Sequence, residues 1–166
     1  MKAISLWLPW AHLVAIKAKR FETRGRETLH RGLIAIHAAK HWSRYQQRLV
    51  GQRPFAAHWE KRCAKGPVHE DGCVIAVAKL AEVVPADKAR EKLLLGGCLD
   101  ELQFGDFSDG RFAWRFSVVV RLTEPVACVG RQWIWTLPID VEMRIDAQVR
   151  SMPLTEIKEL YNRQIT

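Results

Sequence analysis

Short apolar runs broken by charged stretches set the layout of this chain. Residues 2–6 read as a strand. Pro9 then suits the first turn of a helix, where its missing N–H costs nothing. Trp10, Leu13, Val14 and Ala18 recur at helical spacing, so that helix lays one face on a core. Residues 21–24 are expected to be extended, 25–30 a polar loop, and 33–38, apolar and partly β-branched, a buried strand. Residues 40–64 carry the pattern of one or two helices. Trp42, Tyr45 and Leu49 fall on one face, and Lys40, Arg44 and Arg48 on another. That spacing predicts a core stripe and a basic stripe on one helix. Residues 51–54 interrupt it, and 55–64 predict a further turn.

Beyond a loop at Gly66-Pro67, residues 73–84 are rich in Val and Ala and predict a long strand. Asp87 is placed to cap a helix running to Leu94. Residues 96–110 read as an irregular acidic loop. Residues 111–122 predict a second long strand, with Phe112, Trp114, Phe116 and Val118 on one face and Arg115, Ser117 and Arg121 on the other. Residues 123–152 predict mostly loop with a short turn. After Pro153, a helix over 154–164 is expected to bury Leu154, Ile157, Leu160 and Tyr161. No repeat or linker divides the chain, so one α+β domain over residues 1–166 is expected.

Charge sharpens this picture. Residues 1–66 hold 14 Lys/Arg against Glu22, Glu27 and Glu60, a net of +11, while residues 67–166 net −3. Phosphates would be drawn to the first part, releasing counterions as they bind. Cysteines 63, 73, 98 and 128 form no C-x-x-C pair and read as reduced thiols of a cytosolic protein. Pro9, His12 and the early charge at Lys17 argue against a signal peptide. No run reaches the ~18 apolar residues that span a bilayer. Cys63, His69 and Cys73 are irregularly spaced and lack an evident fourth ligand, so no metal is expected. With no P-loop, dinucleotide fingerprint or G-x-S-x-G elbow, no cofactor is expected either.

Three ordered stretches carry a resemblance. They are Ser5-Leu6-Trp7-Leu8-Pro9-Trp10-Ala11, the cluster Lys19-Arg20-Phe21-Glu22-Thr23-Arg24, and Arg31-Gly32-Leu33-Ile34-Ala35-Ile36-His37-Ala38-Ala39-Lys40. Asp109-Gly110-Arg111-Phe112-Ala113-Trp114 adds a fourth. Together they are similar to the ASCH family, small barrels related to the PUA fold of RNA-binding domains. The resemblance implies a PUA-like mixed or antiparallel β-barrel flanked by helices. Residues 40–65 would then be a helical insertion, and 123 onward a C-terminal extension. It also implies a cleft for RNA or a modified nucleoside. A fold hosts many activities, so chemistry must be read from the residues.

In a strand starting near Arg20, Arg20, Glu22 and Arg24 share one face while Phe21 and Thr23 take the other. A carboxylate between two arginines is held ionised. Glu22 could accept from a base or ribose hydroxyl, or act as a general base. Lys19 could hold phosphate or an oxyanion. A salt bridge closing the barrel mouth is the plainer alternative. The resemblance places this cluster in the family's cleft. Some small relatives hydrolyse an acetylated cytidine with Lys, Thr and Glu. Their lysine and arginine match Lys19 and Arg24, but their threonine falls at Glu22. Thr23 is one residue off, and Glu91 or Glu101 would be the acid.

A polyanion track is expected along Arg24, Arg26, Arg31, Lys40, Arg44, Arg48 and Arg53, with Arg20 and Arg115 in the same set. Tyr45 or Trp42 could stack on a base, although Trp42 suits the core better. A metal-independent ribonuclease needs only a base, a cation and an acid around the 2′-hydroxyl. Lys19, Glu22, His41 and Tyr45 are the candidates. His37, in a buried strand, and His58 come behind His41. Three readings stay open: an RNA binder that also cleaves, an amidohydrolase of an acetylated cytidine, and a non-catalytic RNA adaptor.

Overall fold

The computed structural model describes residues 1–63 and 70–161. The Gly66-Pro67 loop, His69 and the end of the last expected helix lie outside the described residues. In chain order the elements are β1 (Lys2–Trp7), α1 (Trp10–Ala15), β2 (Phe21–Arg24), β3 (Gly32–Ala39), α2 (Arg44–Leu49), α3 (Phe55–Cys63), β4 (Cys73–Pro85), α4 (Ala86–Leu95), α5 (Leu99–Gln103), β5 (Phe112–Ala127), β6 (Ile134–Thr136), α6 (Ile139–Arg150) and α7 (Leu154–Tyr161).

The strands form one mixed sheet in the order β2-β5-β4-β3-β1-β6, with β1 and β3 parallel and the other pairs antiparallel. The sheet curls on itself. Arg24 on edge strand β2 donates to the Ser5 carbonyl of β1 at 3.1 Å, although three strands lie between them. The Trp114 ring of β5 meets Trp133, just before β6, at 5.5 Å. The result is a half-barrel with β2 and β6 as its edges.

Each face of the sheet has its own core. Ile4, Leu6, Ile36, Trp114 and Phe116 pack inside the curl with Ala11 and Val14 of α1. Ala35, Val77, Val120 and Leu122 pack on the outside under Val141, Ile145 and Val149 of α6. A bulge in β5 joins the two arrangements. Lys79 pairs with Val118 but Leu80 with Phe116, which leaves Ser117 without an opposite residue. The alternation therefore flips. Val119 follows Phe116 into the inner core, and Val118, expected beside Phe116, packs on the outer one.

Other expectations are corrected. Residues 123–152 are not mainly loop, since β5 runs to Ala127 and α6 covers twelve residues. Asp87 sits in the first turn of α4 behind Pro85 and makes no capping bond. The 96–110 loop contains α5, whose Glu101 is buried. In α7, Leu160 is buried but Leu154 and Tyr161 are exposed. Finally, α2 starts only after Ser43, because the Gln46 side chain folds back to accept the Ser43 N–H. Lys40 and Trp42 thus precede the helix, and its buried residue is Gln46, not Tyr45.

Candidate functional site

The mouth of the curl is a cleft of about 1610 Å³. Strand β2 supplies one wall. Alternation along it buries Phe21 and Thr23 and leaves Glu22 and Arg24 half-buried, and Glu22, Thr23 and Arg24 all line the cleft. The Glu22 carboxylate lies 3.0 Å from the Arg24 guanidinium and 3.7 Å from the Lys19 ammonium. Lys19 lies beneath them, fully buried, and donates to the Phe104 carbonyl at 2.7 Å. Burial pushes its pKa below the ordinary lysine value, against the pull of Glu22 and Glu101. Lys19, Glu22 and Arg24 are thus one connected ion-pair group. Arg20 is not part of it. The strand begins at Phe21, so Arg20 turns outward beside Glu101. The Glu101 carboxylate accepts the backbone N–H groups of Arg20 and Phe21 at 2.8 and 3.0 Å, which pins the start of β2. Thr23 accepts the Asp106 N–H through its hydroxyl at 2.9 Å. Glu91 is exposed on α4.

Tyr45, which also lines the cleft, stacks on Trp10 with centroids 6.4 Å apart. Exposed Arg26 and Lys40 also line it, and neither forms an ion pair among the described residues. The Lys40 stem lies in space that Gly72 leaves open. A Cβ on Gly72 would stand 2.4 Å from the Lys40 Cε. The other candidates lie elsewhere. His41 is outside the cleft, with its ring 4.5 Å from that of Trp7. Arg44, Arg48 and Arg53 are exposed but do not line it. Arg31 donates to the Thr28 and His30 carbonyls, and Arg115 is held by Glu82 at 2.7 Å. Trp42, expected in the core, is 37% exposed and stacks on Trp59.

Sequence reasoning missed the wall made by residues 127–133, which brings Arg131 to the cleft, and it missed Arg111. Arg111 is tied to Asp106 at 3.3 Å. It also missed a polar pair beneath that wall. Ser5 and His37 are register partners on β1 and β3. The buried His37 donates from Nε2 to the Cys128 carbonyl at 3.0 Å, which leaves Nδ1 as an acceptor. Nδ1 and the Ser5 hydroxyl have no partner among the described residues. Both crowd the spot where a Cβ on Gly130 would stand, at 2.6 and 2.8 Å. Burial pushes the His37 pKa down, keeping the ring neutral. Only the strand register joins these two residues, and the sequence carries no local mark of it.

Among the described residues, no group of three His, Cys, Asp or Glu is placed to hold a metal. None of the described helices is long and apolar enough to cross a membrane.

A mixed half-barrel with a cleft at its mouth has known counterparts. No protein-family model and no curated protein matches the sequence. Solved structures do match. The ASCH structure from Zymomonas mobilis superposes with a TM-score of 0.53 at 18% identity, over 88% of this chain and 93% of that one. A tyrosine-to-phenylalanine variant of the same protein gives 0.54 at 17% identity, over 88% and 96%. Its serine-to-alanine variant gives 0.53 at 18%, over 88% and 94%. The chain has the ASCH fold, the PUA-like α+β architecture its first forty residues pointed to.

Proposed function

We propose that this protein binds single-stranded RNA, taking a nucleotide into the cleft at the mouth of the half-barrel. The observation that carries this reading is the charge of the lining. Arg26, Lys40 and Arg131 are exposed there, and none forms an ion pair among the described residues. Unpaired cations on the rim of a cavity suit phosphates. Inside, Tyr45 and Trp10 offer ring faces for stacking, and the half-buried Glu22 carboxylate can accept from a base or ribose hydroxyl.

Cleavage would need a base and an acid around one 2′-hydroxyl. His41 is outside the cleft, and the Lys19 ammonium is engaged by Phe104 and Glu22. Of the four candidates, Glu22 and Tyr45 line the cleft and are left to take and give a proton. The test is incubation with labelled RNA, DNA and acetylcytidine, each with and without EDTA. Retention of RNA over DNA supports the proposal. RNA fragments formed in EDTA would add metal-independent cleavage. Release of acetate from acetylcytidine, without RNA retention, would replace the proposal with the amidohydrolase.

A further inference from the structure

A second, smaller hollow of about 270 Å³ adjoins the cleft, and Ala39 and Lys40 line both. His41, Trp42 and Trp59 give it an aromatic part, beside Leu8, Arg62 and Asp71. Trp42 and Trp59 stack at 5.2 Å and 15°, and the Arg62 guanidinium lies 4.6 Å above the Trp59 ring. Glu70 fixes Arg62 at 3.0 Å. His41 stands at the same hollow with its ring against Trp7, and Trp7 in turn lines the cleft. Exposed aromatic surface therefore continues from one depression to the next, with Trp7 51% and Trp42 37% exposed. Lys40 lines both, an exposed residue whose stem is lodged against Gly72.

We infer that this hollow is a second base-binding subsite, and that the RNA ligand is an oligonucleotide straddling Lys40. The inference rests on the RNA reading of the cleft and extends it. One nucleotide enters the cleft. Its neighbour lays its base on the exposed face of Trp42, and the phosphate between them meets the Lys40 ammonium. Aromatic faces take any base, because every base has a π-face, while a positioned cation takes the backbone. Asp71, which also lines the hollow, offers a carboxylate to a base N–H. A neighbouring phosphate and a second flat ring are the features that separate an oligonucleotide from a free nucleoside.

Titrating the full chain with UMP, the dinucleotide UpU and hexauridylate, read by tryptophan fluorescence, tests this. UpU should bind at least about tenfold tighter than UMP, the size one stacked base supplies. Trp42→Ala should remove that advantage and leave UMP affinity as it was. Trp42→Phe, which keeps a ring, should restore most of it. Arg24→Ala should weaken UMP and UpU alike. Equal affinity for UMP and UpU overturns the second subsite and leaves the cleft standing. So does a Trp42→Ala loss shared equally by UMP and UpU, since that marks a structural role. Failure of all three probes to bind overturns both readings together.

Discussion

At the residue scale, the informative side chains are those whose surroundings leave them no freedom. Gly130 passes so close to His37 that a Cβ would stand 2.3 Å from its Cε1. Gly130→Ala should therefore cost about 1–3 kcal/mol, as overpacking does, seen as a lower midpoint in urea unfolding. An unchanged midpoint would mean that the 127–133 wall shifts freely. Glu70 is the second case. It is buried, and it holds His12 at 3.2 Å, Arg62 at 3.0 Å and Arg121 at 2.7 Å. Burial pushes its carboxyl up, but the hydrogen bonds and charges of His12 and Arg62 outweigh that and hold it below 4.5. Its folded value thus lies under its unfolded one. The stability it contributes is present above pH 4.5 and is lost as pH falls through the folded value. Glu70→Gln should lower stability at pH 7 and flatten the fall below pH 4.5, measured by thermal unfolding across pH. An acid limb as steep as wild type would place the titration elsewhere. Neither feature is legible in the sequence. Glu70 meets His12 and Arg121 across 58 and 51 residues, and Gly130 meets His37 across a sheet whose register no local pattern records.

At the element scale, the strands buried between the two cores were readable as short apolar runs, and α1 as a helical stripe. Strands β1 to β4 and α1 lie where their apolar runs predict them. The failures have physical causes. The bulge at Ser117 reverses the alternation of β5, so a strict two-residue period assigns Val118 to the wrong face. In α2, the return of Gln46 to Ser43 starts the helix too late to include Lys40. Helix α6 carried its own signal: Val141, Ile145 and Val149 at i, i+4 and i+8, after Pro138, with Asp140 and Glu142 in the first turn. That helix closes the outer core, so Ile145→Ala should cost about 2–5 kcal/mol in chemical denaturation. Ile139→Ala, at a position 72% exposed, should stay within about 0.5 kcal/mol. Equal small losses at both positions would mean α6 is not docked on the sheet.

At the scale of the whole molecule, the charge asymmetry of the sequence becomes a surface with a direction. Cations from the basic first part, Arg26 and Lys40, reach the cleft rim beside Arg131, while exposed Arg44 and Arg48 stand apart from it on α2. The cleft itself was legible only through the resemblance. Composition shows an excess of charge, but only the curl of the sheet places Arg24 against Ser5 and makes a concavity. If all five of those cations meet phosphates of one strand, log affinity should fall with log salt at a slope of about −3.5. That is roughly two orders of magnitude between 50 and 200 mM salt. The double substitution Arg44→Ala with Arg48→Ala separates the helix from the rim. It should lower the slope by about 1.4 and weaken binding at low salt, if the strand runs on past Lys40 over α2. Stability should hold within about 0.5 kcal/mol, because both side chains are exposed and unpaired among the described residues. Salt titrations of hexauridylate binding with wild type and the double variant measure this. An identical slope would confine the RNA to the cleft and the hollow beside it, and would make the α2 arginines a solvated face.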